Sequence, residues 1–523
     1  MTDLAGSKPA LEPGPPGVSA WLKLVTVLVG LYATALAVRH MGQPLLEAHG
    51  FRQTQTAMTA FWMIRDGWHL AYETPVAGYP WAIPFEFPLY QMLVAAIAKV
   101  GGLPLDPVGR LVSFGFLLGC AWPASAIAKR LALPRQAVWV FCALLWSSPL
   151  YLFWGRTFMI ETAALFFAFA AIPYALDLLT PRPRWNSVFL CALFGTAACL
   201  QKVTTGAPVV LALGCGYLLH WVRRGPLRIP QVGEIATALS AFGVPLLITA
   251  AWTSYSDAVK ARNPLGAQLT SAAVRGWNFG TLSQRLELST YVNVVWHRMI
   301  VPNAGGALGA VLVAAAALAP TPVRVRAATA SALTLFMLPM LLFMNLHIVH
   351  EYYQSSCALF LIAALALAVG VWVPSIVRHP AVVPALTSLL VASNLHAFAT
   401  GYGRVERKEI TVPRSRVLTI AAILRQYTPP GSGFVAFGRG WSSEFAYYAQ
   451  RKSFTVPQFF NQYARAWDQP AGFLGDIPLK ALVVCPSPSG PTLADAIRRL
   501  DAEPQWILVE ALDCGVLIDT GGK

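Results

Sequence analysis

Acidic side chains are scarce in this chain: 24 Asp and Glu stand against 39 Lys and Arg in 523 residues, and charged residues amount to only 12%. Soluble domains carry about 25%, so an ordinary water-soluble globule is excluded. Metal-binding cysteine patterns are also missing. The eight cysteines include no CxxC and no His/Cys cluster, which removes the usual signature of a structural zinc site. The basic residues are scattered and form no stripe with interleaved aromatics, so the positive net charge does not point to nucleic acid as a partner. No cleavable signal precedes the first apolar run, which is too long for the core of one. Residues 1–18, rich in Pro and Gly, read as a disordered cytoplasmic tail.

What the chain has in abundance is apolar length. Hydrophobic residues make up 56% of it, and crossing about 30 Å of hydrocarbon takes roughly 20 residues of helix. Eleven such stretches fall at about 19–38, 108–128, 136–153, 158–179, 186–203, 205–222, 231–252, 304–321, 327–346, 354–374 and 381–399. A further apolar segment, Leu89 to Gly101, is short and carries Lys99, which suits an interfacial helix. With that segment left outside the bilayer, the loops holding Lys129, Arg130 and Arg135, then Arg182 and Arg184, Arg223, Arg224 and Arg228, Arg324 and Arg326, and Arg378 all fall on one side with the N-terminus. Positive loops mark the cytoplasm. The expected architecture is a mainly α, polytopic helical membrane domain over 19–402, with outer loops at 39–107 and 253–303. A soluble α/β domain follows over 403–523 on the outer face. In that domain, helix-like periodicity marks Val417 to Tyr427 and Leu493 to Leu500. Strand-like runs mark Phe434 to Phe437, Leu482 to Val484 and Trp506 to Ile518, broken at Asp513-Cys514-Gly515. Cys120, Cys142, Cys191, Cys199, Cys215 and Cys357 fall within spans, as small apolar side chains do. Cys485 and Cys514 fall in the terminal domain, where an outer location permits a disulfide.

Ionisable residues avoid the span centres and collect at the outer ends. The first outer loop carries Glu47, His49, Arg52, Gln53, Asp66 and Glu86, the last beside Tyr90. Arg156 and Glu161 lie within about one and a half turns between the third and fourth spans, Lys202 at the end of the fifth, and His347, His350, Glu351 and Tyr352 after the ninth. Polar groups are expensive at membrane depth, so such a set at one level points to a working site. Cationic side chains at headgroup height suit a phosphate whose lipid tail stays among the helices. A carboxylate beside them suits deprotonation of an acceptor hydroxyl. Each residue also has a plain structural reading: caps for Glu47 and Glu86, headgroup anchors for Arg52, Arg156 and Lys202, interfacial aromatics for Tyr90 and Tyr352. His347 and His350, spaced i, i+3, together with Glu351 or Glu47, keep a divalent cation among the candidate ligands.

The segment Arg52-Gln53-Thr54-Gln55-Thr56-Ala57, then Asp66-Gly67-Trp68, then Glu86-Phe87-Pro88-Leu89-Tyr90 resembles the bacterial membrane glycosyltransferases of the GT-C fold, relatives of protein O-mannosyltransferases and of lipid A aminoarabinose transferases. Arg156 to Glu161, Lys202 and His350 to Tyr353 are similar to further motifs of that group. The resemblance covers about residues 19–400. It implies an inverting transfer of sugar from a polyprenyl-phosphate donor to a lipid, glycan or protein acceptor, at the outer face of the cytoplasmic membrane and without a certain cofactor. Glu47, Glu86 and Glu161 are then the candidate catalytic acids. His49, Arg52, Gln53, Tyr90, Arg156, Lys202, His350, Glu351 and Tyr352 are the candidate substrate-binding groups. The chain departs from the family in carrying Gln55 where Asp is common, and it lacks an acidic pair. The base therefore stays open between Glu47 and Glu86, with Glu47 favoured. The rival reading is a transporter or lipid flippase, which calls for repeats and for broken or charged spans at mid-membrane depth.

Overall fold

The computed structural model describes residues 18–180, 183–222, 231–319 and 323–521. The tail expected over 1–18 lies outside them except for Val18, as do Arg182, Arg223, Arg224 and Arg228 of the basic loops.

In chain order the main helices are α1 (Ala20–His40), α2 (Gly50–Asp66), α3 (Leu89–Gly101), α4 (Leu105–Arg130), α5 (Arg135–Ser147), α6 (Glu161–Asp177), α7 (Trp185–Gln201), α8 (Val203–Val222) and α9 (Val232–Lys260). A bent pair, Leu288–Ala304 and Ala307–Leu318, turns by 95°. Then follow α10 (Val323–Leu342), α11 (Ala358–Ile376) and α12 (Val382–Thr400). Among the described residues seven of these, α1, α4, α8, α9, α10, α11 and α12, are long and apolar enough to cross a membrane, or eight if the bent pair counts as one span. Helix occupies each of the eleven expected stretches, but four fall short of that length.

The shortening has local causes. The stretch expected over 136–153 divides at Ser148-Pro149, because the residue before proline is pushed into extended backbone, here φ −59° and ψ 124°. The freed polar groups are taken up by Asn303, whose Oδ1 accepts from Ser148 Oγ at 2.6 Å and from Leu150 N at 3.3 Å. Helix α6 starts only at Glu161, after a turn through Arg156, and α7 ends at Gln201, where Lys202 leaves helical geometry at φ −159° and ψ 105°. Helix α3 is 13 residues long and ends at Gly102 in left-handed backbone, the conformation that glycine takes without cost. It is too short to span.

The terminal region adds helices α13 (Arg416–Tyr427) and α14 (Leu493–Ala502) and five strands: β1 (Gly433–Phe437), β2 (Lys452–Val456), β3 (Leu479–Val484), β4 (Trp506–Ala511) and β5 (Cys514–Asp519). The sheet order is β2-β1-β3-β5-β4, parallel across β2-β1-β3 and antiparallel across β3-β5-β4. Cys485 and Cys514 form a disulfide beside the β4-β5 hairpin. One face of the sheet packs with α13 onto Met58 and Trp62 of α2, so this core is shared with the first outer loop. The same loop closes an edge of the sheet. Ser453 and Thr455 of β2 donate to the carbonyls of Pro75 and Val76 at 3.0 and 2.9 Å, and Gly78 donates back to Ser453 at 3.1 Å. A covered edge cannot recruit another strand.

Candidate active site

Two backbone breaks assemble the site. The first is Lys202 between α7 and α8. These helices fold back on each other so tightly that a Cβ on Gly206 would meet the Cys199 nitrogen at 2.4 Å. Glycine is what lets the backbones approach that closely. The end of α7 in turn holds the loop that carries Glu86: Phe87 N donates to Leu200 O, and Tyr90 N to Gln201 Oε1, both at 2.9 Å. Glu86 is thereby fixed beside Lys202. The second break is His49, in left-handed backbone at φ 44° and ψ 46°, from which α2 starts and sends Arg52 inward one turn later. Non-glycine residues adopt that conformation at a cost, commonly at functional sites.

Arg52 Nη2 donates to Glu86, and Arg52 Nη1 to Gln55 Oε1 at 2.8 Å. Lys202 is paired with Glu161, and its ammonium lies 4.1 Å from the ring centre of Tyr353 and 5.0 Å from that of Tyr352. These groups border a cavity of about 720 Å³, whose wall includes Arg52, Gln55, Glu86, Lys202, His350 and Tyr352. That volume lies in the range of small-molecule sites. Lys260 also lines it, paired with Asp257 at 2.8 Å. Trp252 and Trp277 contribute aromatic wall from the membrane domain, and Trp441 does so from the terminal domain, packing edge-on against Phe51 at 4.8 Å between ring centres. Four buried polar atoms of the lining residues have no hydrogen-bond partner: Arg52 Nε, Gln55 Nε2, Thr204 Oγ1 and His350 Nδ1. The first two can only donate. Unsatisfied buried donors are costly, and an anionic or hydroxyl-bearing ligand would relieve that cost.

The charge states follow from the packing. Burial alone would raise the Glu86 carboxyl, but Arg52 and Lys202 outweigh it and hold it below the usual range. It is ionised at neutral pH. Burial, helped by His49, Lys202 and Arg52, lowers His350 to about 4, and burial with Lys202 lowers His347 to about 3. His49 is lowered as well, chiefly by burial. All three imidazoles are therefore neutral at pH 7. Burial also pushes the Tyr352 hydroxyl well up, so it is a donor and not an anion.

Other sequence candidates sit elsewhere. Glu47 does not line the cavity. It is 1% exposed, accepts from Arg110 Nη1 at 2.6 Å and lies 3.3 Å from Arg156, which in turn reaches Glu406 at 2.9 Å. His40 closes this buried set, 3.4 Å from Glu406. Two carboxylates thus balance two guanidinium groups, and the Glu47 carboxyl is lowered because Arg110 and Arg156 outweigh its burial. Gln53 is a strut, fully buried, donating to Ala48 O at 2.8 Å and accepting from Phe158 N at 3.3 Å. Tyr90 is another, its hydroxyl donating to Gly109 O at 2.6 Å. Glu161 touches Lys202 from behind the wall. His49 packs its ring edge-on to His350 and Tyr352 and tilted to Trp154, with ring centres 5.0 to 5.5 Å apart. Glu351 points outward and meets Tyr402 at 3.5 Å. Among the described residues, no three His, Cys, Asp or Glu side chains converge as metal ligands, so His347 and His350 find no third partner.

Sequence reasoning missed Asp257, Lys260, Gln55, Thr204 and Trp441. The first two were legible as an i, i+3 pair had the seventh span been run on to Lys260, where its helix ends. No local signal brings Trp441, some 390 residues downstream, to Phe51.

A membrane domain of this arrangement, with its cavity under a small α/β domain, has the GT-C fold of membrane glycosyltransferases. Among solved structures, the chain is similar to ArnT from Cupriavidus metallidurans bound to undecaprenyl phosphate, with a TM-score of 0.60 and 13% identity over 96% of this chain and 98% of the other. It is also similar to the oligosaccharyltransferase of Archaeoglobus fulgidus tethered to an acceptor peptide, with a TM-score of 0.53 and 12% identity over 88% and 69%. A third similarity is to the arabinofuranosyltransferase AftD from Mycobacteria, with a TM-score of 0.54 and 13% identity over 96% and 40%. At these identities the likeness is one of fold. No protein-family model matches the chain, and no curated protein matches it by sequence.

Proposed function

We propose that the chain is an inverting glycosyltransferase that moves a sugar from a polyprenyl-phosphate donor to an acceptor hydroxyl at the outer face of the cytoplasmic membrane. The observation that carries this reading is a cavity wall that combines three cations, Arg52, Lys202 and Lys260, and the partnerless groups of Gln55 and Thr204 with the ionised Glu86; Asp257 also lines it, paired with Lys260. A phosphate joined to a sugar satisfies such a wall. That ArnT is seen with undecaprenyl phosphate supports the same donor class here. The disulfide between Cys485 and Cys514 supports an oxidising, outer location for the terminal domain.

In the reaction the acceptor hydroxyl gives its proton to Glu86 as its oxygen attacks the anomeric carbon. The bond from that carbon to the phosphate oxygen breaks with inversion. Polyprenyl phosphate leaves with the electron pair, and Arg52 and Lys202 stabilise its growing charge. Tyr352, Tyr353 and Trp441 exclude water that would otherwise hydrolyse the donor. Glu47 holds Arg110 and Arg156 in place beneath the site. The test is transfer from radiolabelled polyprenyl-phosphate sugars by purified protein, with Arg52→Ala and Lys202→Ala beside the wild type. Turnover abolished in both variants supports the reading. Solute or lipid movement by reconstituted vesicles, without turnover, would install the transporter instead.

A further inference from the structure

A second cavity, of about 350 Å³, opens among α4, α5, α6, α10 and α11, lined by the end of α4, the starts of α5 and α10, the later part of α6 and the first half of α11. Its wall is made of Ala, Leu, Ile, Val and Phe side chains with two polar exceptions, Arg324 and Ser331. Arg324 is the second residue of α10 and is exposed. Close in sequence to lining residues, and exposed, are Lys129 and Arg130 at the end of α4, Arg135 at the start of α5 and Arg326. The acid beside them, Asp177, is already taken by Arg130 through two contacts of 2.7 and 2.8 Å. The slot is thus apolar in depth and positive at its mouth.

We propose that this slot binds one anionic phospholipid of the cytoplasmic leaflet, with an acyl chain in the cavity and its phosphate at Arg324. An apolar cavity of this size does not hold water stably, and within a bilayer hydrocarbon chains fill it. Each buried methylene contributes favourably. Hydrocarbon alone does not distinguish one lipid from another, but the rim does. Basic residues at the cytoplasmic surface attract anionic headgroups, and pockets between helices with basic rims select them. Zwitterionic lipids gain little from such a rim. The walls of the slot lead to the active site: α6 begins with Glu161, α10 runs toward His347 and His350, and α11 follows Tyr352 and Tyr353. The bound lipid therefore braces the helices that hold the catalytic cavity.

Native mass spectrometry of the full-length protein in detergent tests this, with phosphatidylglycerol and phosphatidylcholine of identical chains added at equal concentration. The wild type is expected to retain one phosphatidylglycerol at several-fold higher occupancy. Arg324→Gln is expected to lower that occupancy about fivefold, the scale of one basic residue's pull on an anionic surface, and to leave phosphatidylcholine unchanged. Ala328→Phe fills the slot and lowers both. Should that variant not fold, Ala363→Leu closes the same space from the facing helix. Equal retention of the two lipids, or retention of phosphatidylglycerol indifferent to all these substitutions, overturns the proposal. Displacement of the phospholipid by added undecaprenyl phosphate overturns it as well, since the slot would then belong to the donor's tail.

Discussion

Replacing Glu47 and Glu86 separately by Gln distinguishes a structural carboxylate from a reacting one. Glu47 is one of two acids that balance Arg110 and Arg156, and all three side chains are 1% exposed. Removing a partner from a buried ion pair costs about 3–5 kcal/mol, because the remaining charge is left without compensation. Gln keeps an oxygen that can accept from Arg110, which puts Glu47→Gln near the lower end, about 3 kcal/mol. Its melting temperature in detergent should fall by several degrees, while turnover per folded molecule stays within roughly threefold of wild type. Glu86 is 22% exposed on the cavity wall, so the stability cost of Glu86→Gln is smaller. Loss of a general base lowers the rate by about 10² to 10⁴, which corresponds to about 3–5 kcal/mol in barrier. The assay is transfer from a radiolabelled donor, normalised to the monodisperse fraction, with thermal unfolding of the same samples. If Glu47→Gln melts with the wild type yet loses a hundredfold or more in turnover, while Glu86→Gln stays active, the division of roles drawn here is wrong.

His347 is held neutral, at about 3 against an ordinary value near 6.5. Between those values the folded chain binds fewer protons than the unfolded one, so stability should rise with pH across that window and level off above it. Melting curves of His347→Asn, taken from pH 4 to 8 (about two units either side of neutrality's acid edge), should show a flatter acid limb than wild type. Trp441 reaches the cavity from the terminal domain. Trp441→Ala should raise KM for donor or acceptor by roughly tenfold, the weight of an aromatic contact of about 1.5 kcal/mol, with little change in melting temperature; an unchanged KM would remove the terminal domain from the substrate site. The Cys485–Cys514 disulfide closes a separation of 29 residues. By the loop-entropy relation its loss costs about 3–4 kcal/mol, so Cys485→Ser with Cys514→Ser should melt earlier.

The class of the protein lay in its composition and in the length of its apolar runs, because a bilayer imposes one requirement, about 20 apolar residues per crossing, that a linear pattern can satisfy or fail. Strands β1, β3 and the β4-β5 hairpin were legible for a similar reason, as apolar runs bounded by turn residues. Strand β2, Lys452–Val456, was not expected, since its mixed composition becomes a strand only by pairing with β1 on one side and the 75–78 segment on the other. The outer loop that carries His49, Arg52 and Glu86 was visible as a concentration of costly groups at one membrane level.

Which of those groups face a common space was not visible, because side-chain direction depends on breaks that have no simple period: His49 in left-handed backbone, Lys202 between two helices and Ser148 before Pro149. Glu47 and Glu86 look alike in the chain. Tertiary packing gives one of them two arginines and no solvent, and gives the other one arginine and a cavity. Arg110, Glu406 and Trp441 are each distant in sequence from the groups they meet, and only the folded chain brings them together. The sequence by itself determined what kinds of group stand at the membrane surface; only the folded chain decided which of them are balanced in the interior and which are left to meet a ligand, since charge compensation and solvent exposure are properties of neighbours in space.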